Sequence, residues 1–305
     1  MKDPVNPTKP LPKPPWIRVR LPSGAGCRRI MELKREQRLH TVCEAALCPN
    51  RADCWERGTA TFLILGDHCT RRCRFCAVPG GPPLSLAECR DEPRRVAAAV
   101  AAMELRHAVV TSVTRDDLED GGAGIFTATI EAIRAAAPGC SVEVLIPDFQ
   151  GNRQSLERVL AAAPEILGHN LETVAALYSK VRPQAQYRRS IELLRRVKES
   201  APGVITKSGL MLGLGESRAD LIQAFQDLRE VDCEVLTLGQ YLRPDKDRLP
   251  VVRYVPPEEF ESLKRDALAL GFRWVEAGPL VRSSYRAERQ ARALAATARQ
   301  DAGQE

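Results

Sequence analysis

Six of the ten cysteines in this 305-residue sequence fall between positions 43 and 76, in two sets of different spacing. Cys69, Cys73 and Cys76 stand as C-x3-C-x2-C in GDHCTRRCRFC, directly after the apolar run TFLIL. Three thiolates can hold three irons of a cubane and leave the fourth open to a small molecule. Zinc tolerates the same spacings, but a structural zinc site takes four protein ligands and no fourth lies nearby. Cys43, Cys48 and Cys54 stand as C-x4-C-x5-C in HTVCEAALCPNRADCW. That spacing is unusual for a zinc ribbon, and the set needs a fourth ligand from elsewhere in the chain. Such clustering points to metal chemistry rather than to a disulfide framework.

The elements that must hold these thiols read clearly from about Thr59 onward. Strand candidates are Phe62–Leu65, His107–Thr111, Val142–Ile146, Glu165–Leu167, Ile205–Leu212 and Val235–Leu238. Helical stretches separate them, at Arg94–Glu104, Ile125–Ala136, Ser155–Ala162, Ser190–Glu199 and Ala219–Glu230. Repeated βα order implies a parallel sheet, and about six units predict an incomplete (β/α)6 TIM-like barrel rather than a doubly wound open sheet. The stretches GDHCTRRCRFC, TSVTRDDLEDGG, PDFQGN, GHNLET, GLGES and GQYLRP each follow a strand. They belong at the strands' C-terminal ends, where parallel α/β folds assemble their sites. A Pro-entered helix at RYVPPEEFESLKRDALALGF and a short strand at Arg273–Glu276 come next, then an Arg/Ala-rich helical tail from Tyr285. Residues 1–58 are Pro-rich and Cys-rich with little periodicity and read as an N-terminal extension, 59–277 as the partial barrel, and 278–305 as a C-terminal extension. The opening MKDPVNPTKPLPKPPW reads as an extended arm.

CTRRCRFC, with Phe75 before its last cysteine, resembles the signature of the radical S-adenosylmethionine superfamily at every defining position. From about residue 30 to residue 287 the chain further resembles the lipoyl synthases, through TSVTRDDLEDGGA, HNLETV, VRPQAQYRRS, TKSGLMLGLGE, LTLGQYLRP, LPVVRYVPPEEF and GPLVRSSYRA. The resemblance implies two 4Fe-4S clusters, one on Cys69, Cys73 and Cys76 that cleaves S-adenosylmethionine, and an auxiliary one on Cys43, Cys48 and Cys54. The auxiliary fourth ligand it implies is Ser284 of the Arg282–Tyr285 stretch RSSY. Serine before a helix such as YRAERQARAL is also a common cap, so both roles stand open for Ser283 and Ser284. PNRAD between Cys48 and Cys54 departs from the usual filling of that motif, leaving the ligand spacing intact.

The implied reaction inserts two sulfur atoms at C6 and C8 of an octanoyl-lysine on a lipoyl-carrier domain. Those saturated carbons bear protons too weakly acidic for an enzymic base, so radical chemistry fits. The implied electron donor is ferredoxin or flavodoxin, and the sulfur source is the auxiliary cluster. Asn170 and Glu172 of HNLET, and Glu216 after GLG, are candidates for S-adenosylmethionine contacts, with helix capping the alternative for Asn170. Asp116 and Asp117 are either loop structure or nucleoside contacts, and Arg243 is placed to pair with a carboxylate. Cys27, Cys89, Cys140 and Cys233 match no ligand position and read as small apolar residues. His40, His68, His107 and His169 form no pair at ligand spacing and read as structural.

Composition narrows the partners. The net charge of +6 comes from 45 basic and 39 acidic residues, and only 5% of residues are aromatic. No basic run interleaves with aromatics, so nucleic-acid binding is not expected. Apolar runs are too short for a membrane span and no signal pattern opens the chain, which predicts a cytoplasmic enzyme.

Overall fold

Val-, Ile- and Leu-rich strands alternate with helices bearing one apolar face, and such alternation folds as a parallel sheet with its helices outside. The computed structural model describes residues 11–302, with side chains as far as residue 296. Ahead of the barrel lie α1 (Ala25–Glu36), β1 (His40–Thr41), α2 (Val42–Ala45) and α3 (Arg51–Glu56). The barrel then runs through β2 (Thr61–Ile64), α4 (Leu86–Cys89), α5 (Glu92–Ala102), β3 (His107–Ser112), α6 (Ala123–Ala136), β4 (Ser141–Leu145) and α7 (Arg153–Ala161). It continues with β5 (Ile166–Gly168), α8 (Tyr178–Val181), α9 (Tyr187–Ser200), β6 (Ile205–Leu212), α10 (Arg218–Arg229), β7 (Val235–Gln240), α11 (Pro257–Ala269) and β8 (Trp274–Gly278). Helix α12 (Ala287–Ala302) follows and packs against β3.

Strands β2 to β8 pair in parallel, in chain order, and β1 adds antiparallel to β2. The sheet stays open, with β1 and β8 at its edges. Six strand-helix units followed by β8 make the incomplete barrel expected from the sequence. Each strand and helix anticipated there is present, its ends moved by less than a helical turn. The sheet face and the helices meet through fully buried side chains such as Val110, Val144, Leu167, Leu236, Phe126, Leu194 and Phe225. Each such side chain contributes about 1.5–3 kcal/mol.

The extension carries more helix than its sequence suggests. Helix α1 buries only Cys27 and Ile30, a stripe too narrow to stand out as periodicity, and α2 and α3 are too short to show any. These helices gather around Trp55, which packs with Cys27, Ile30, Cys43 and Ala60. Residues 1–10 of the Pro-rich opening lie outside the described residues, and residues 11–23 form neither helix nor strand.

Beyond β8, residues 279–286 join three distant parts of the chain. Asn50 Nδ2 donates to the Leu280 carbonyl at 2.6 Å, and Thr61 Oγ1 on β2 donates to Ser284 Oγ at 2.7 Å. On β7, a Cβ at Gly239 would lie 2.1 Å from the Val281 carbonyl oxygen. Only glycine admits the segment there.

Candidate metal centres

Strand β2 ends abruptly, because Leu65 and Gly66 both take positive φ, at 66° and 82°. Their amides donate to the buried Glu92 carboxylate at the start of α5, at 2.6 and 3.2 Å. The chain therefore leaves the sheet in a fixed direction and enters the loop bearing Cys69, Cys73 and Cys76. Backbone contacts then define that loop: Cys69 N donates to Pro79 O at 2.9 Å, Thr70 N to Thr114 O at 3.1 Å, and Arg74 N to Val181 O at 2.9 Å. Inside it, Arg71 N donates to Cys69 Sγ at 3.4 Å.

Cys69 and Cys73 both bear electrostatically on Cys76. Burial pushes Cys76 up to about 12, with Cys73 and Cys69 adding to it. Cys73 is also raised by burial, against the opposing charge of Arg182. Thiols in this state must give up protons to become metal ligands, so metal binding here releases protons.

The second set converges on a different place. Cys43 on α2, Cys48 on the α2–α3 connection and Cys54 on α3 line one cavity together with Thr61, Arg282 and Ser284. Burial, then Cys43 and Cys48, push Cys54 up to about 12. Cys48 is raised by burial, opposed by the Asn50 amide and the Arg282 and Arg51 charges. The Ser284 hydroxyl takes the Thr61 hydrogen bond inside this cavity. Ser283 faces the other way: Asn170 Nδ2 donates to its Oγ at 2.6 Å. Three thiols and one hydroxyl oxygen around a single cavity are a donor set suited to an iron cluster.

Comparison with known proteins shows the family. The Radical SAM superfamily model matches residues 63–228. A lipoyl synthase of Koribacter versatilis is 55% identical, covering 94% of this chain and 94% of its own length. One of Methylococcus capsulatus is 54% identical, covering 94% of this chain and 89% of its own. The chain belongs to the lipoyl synthase family. The fold also resembles that of Streptococcus suis SuiB bound to S-adenosylmethionine, with a TM-score of 0.56 at 9% identity, over 85% of this chain and 58% of that one. As a lipoyl synthase, the chain is a sulfur-inserting radical S-adenosylmethionine enzyme whose cofactors are S-adenosylmethionine and two 4Fe-4S clusters.

The remaining candidates sort by their partners. Asn170 and Glu172 follow β5, and Asn170 Nδ2 also reaches Glu172 Oε1 at 3.0 Å. Asn170 Oδ1 is buried without a hydrogen-bond partner, as is Arg182 Nε. Burial raises the Glu172 carboxyl against the opposing Arg182 charge. Glu216 spends both oxygens on amides of its own loop, accepting from Gly213 N at 2.6 Å and Leu214 N at 2.9 Å. Asp116 pairs with Arg71, and Asp117 with Arg115. Arg243 donates to the Lys246 and Arg248 carbonyls of its own loop. Cys27, Cys89, Cys140 and Cys233 are all buried, and Cys27 packs beside the second cysteine set.

Arg182 is a buried residue that nothing in its local sequence marks for a role. Its Nη1 donates to the carbonyls of Asn170 at 2.9 Å and Leu171 at 3.3 Å and to Tyr178 Oη at 2.8 Å. Tyr178 Oη lies 2.7 Å from Ser190 Oγ, which lies 2.9 Å from His169 Nε2, while His169 Nδ1 is 2.9 Å from the Ile146 carbonyl. The donors run one way only if His169 is neutral, with Nδ1–H donating to Ile146 and Ser190 donating to Nε2. Burial and the Arg182 charge hold it so, pushing His169 down to about 4. Arg182 sits in VRPQAQYRRS and Arg282 in RSSY, so only their presence in those stretches could have flagged them.

Among the described residues, no helix is long and apolar enough to cross a membrane.

Proposed function

We propose that this chain inserts sulfur at C6 and C8 of an octanoyl-lysine carried on a lipoyl-carrier domain, with Cys69, Cys73 and Cys76 holding the radical-generating cluster and Cys43, Cys48, Cys54 and Ser284 the auxiliary one. The observation that supports this most is the meeting of Ser284 with Cys43, Cys48 and Cys54 at one cavity, on a chain whose barrel mouth carries a second, separate thiol set. When bound, the clusters would supply an electron and sulfide, and S-adenosylmethionine a carbon-centred radical able to take hydrogen from a saturated carbon. The protein's own residues bind and orient. Ser284 would hold the auxiliary cluster through a hard oxygen, a donor that softer iron-sulfur chemistry favours less than thiolate.

Asn170, Glu172 and Glu216 are proposed to serve S-adenosylmethionine in two ways. Asn170 Oδ1 offers a buried acceptor to a donor on the ligand, with Glu172 beside it. Glu216 shapes the loop after β6 through the amides it accepts. We place the division between extension and barrel at residue 58 and that between barrel and C-terminal extension at residue 277. Ferredoxin or flavodoxin is the proposed reductant and the cytoplasm the proposed location.

The test is anaerobic reconstitution, then incubation with an octanoyl-lysine peptide, dithionite and S-adenosylmethionine, with mass spectrometry of the peptide. Gain of two sulfur atoms is expected. Formation of 5'-deoxyadenosine with no sulfur on the peptide would exclude the octanoyl substrate.

A further inference from the structure

We propose that Arg71 is a positioning residue for the radical-generating loop, held by Asp116 and Asp148 so that Cys69 and Cys73 keep their spacing before any iron arrives. Arg71 lies between those two cysteines, yet its side chain turns away from them into the barrel top. Its Nε donates to Asp116 Oδ2 at 2.6 Å, and its Nη2 to Asp116 Oδ1 at 2.9 Å and to Asp148 Oδ1 at 2.6 Å. The Arg71 side chain is 2% exposed and that of Asp148 0%. A buried arginine that forks onto Asp116, itself 27% exposed, and onto the fully buried Asp148 is a far stiffer link than a surface ion pair.

The link continues outward on both sides. Asp148 Oδ1 accepts from Gln150 N at 3.1 Å, and its Oδ2 faces Arg189 Nη1 of α9 at 3.5 Å. Next to Arg71, Thr70 Oγ1 donates to Thr114 O at 2.9 Å and accepts from Asp116 N at 3.1 Å. The loop after β2 is thereby pinned to the loops after β3 and β4. Within this network two arginines face two aspartates, Arg71 and Arg189 against Asp116 and Asp148. None of these side chains is a proposed iron ligand, and Asp116, a candidate nucleoside contact by sequence, spends both carboxylate oxygens on Arg71.

The inference rests on Cys69, Cys73 and Cys76 being cluster ligands, a reading that iron content of their triple Ala variant tests separately. Its own test uses iron-free full-length protein, which reports the loop whether or not it can hold iron. Alkylation of each cysteine by iodoacetamide is followed by mass spectrometry in wild type, Asp148→Asn and Arg71→Lys, with Cys43, Cys48 and Cys54 as the reference inside the same molecule. Both substitutions are expected to speed labelling of Cys69, Cys73 and Cys76 by about tenfold relative to the reference set, the response to losing a charge-assisted hydrogen bond from the closed loop. Arg71→Lys keeps the charge and loses the fork, so failure of lysine to restore slow labelling is part of the expected result. Unchanged relative rates would overturn the proposal. A rise in all six thiols together would overturn it too, by assigning Arg71 to global stability.

Discussion

Asn170 Nδ2 donates to Ser283 Oγ at 2.6 Å, across 113 positions of sequence. The neighbouring Ser284 turns the opposite way, to Thr61 and the cavity of Cys43, Cys48 and Cys54. Two adjacent serines thus face two different places, Asn170 after β5 and the thiols of Cys43, Cys48 and Cys54. The segment that carries them reaches both places.

This divergence predicts different phenotypes for the two serines. Ser284→Ala should keep 5'-deoxyadenosine formation and lose sulfur insertion, because the auxiliary site loses its oxygen donor. Removing the Thr61 hydrogen bond should cost only about 1 kcal/mol. Ser283→Ala should instead weaken S-adenosylmethionine binding while its auxiliary iron stays in place. Product mass spectrometry and equilibrium binding separate them; normal sulfur insertion by Ser284→Ala would refute ligation.

The cysteine sets should likewise separate. Replacing Cys69, Cys73 and Cys76 with Ala is expected to remove about four of about eight irons and abolish 5'-deoxyadenosine. Replacing Cys43, Cys48 and Cys54 with Ala should remove the other half and leave cleavage running without any sulfur-bearing peptide. Iron analysis and chromatography of the nucleoside decide the matter, and retained cleavage in the first triple variant would sink the assignment.

Gly239→Ala tests whether strand β7 governs the auxiliary site from a distance. The new methyl would meet the Val281 carbonyl, which is backbone and cannot rotate aside. Overpacking should cost about 1–3 kcal/mol and displace residues 281–284. The expected signature is loss of auxiliary iron with the radical-generating cluster retained, read by iron content and Mössbauer spectra. Full iron loading and unchanged melting would show that the segment shifts freely.

Stability should fall in two stages as the solution is acidified. His169 is held down to about 4 in the fold against an ordinary 6.5, so the unfolded chain binds the extra proton first. Folding free energy therefore drops as pH falls from about 6.5 toward about 4. Burial alone would raise Asp148 and Glu143; Arg71 overrides it for Asp148, and Lys207 with His107 for Glu143, holding both at about 2. Their contribution is complete above the ordinary carboxylate range and is lost as pH falls through it toward about 2. Thermal melting of iron-free protein against pH gives the curve. His169→Asn should flatten its upper stage alone, and an unchanged upper stage would show that another group causes it.

The barrel was legible because its signals are local. Strands such as Val142–Ile146 and helices such as Ser190–Glu199 declare themselves through periodicity, and each polar stretch after a strand is sent by parallel topology to the same face. The two cysteine sets were legible for the same reason, since spacing along a loop or short helix is a property of neighbours. What Ser284 does was not legible. A serine before a helix satisfies the rules of capping and of ligation equally, and only the return of residues 279–286 to β2 brings it to Cys43, Cys48 and Cys54. Arg71, Asp148, Arg182 and Asn170 share that dependence. Each owes its role to a partner on another strand-end loop, and which loops touch is decided by how the sheet curves and the chain packs, at separations where sequence carries no periodic signal.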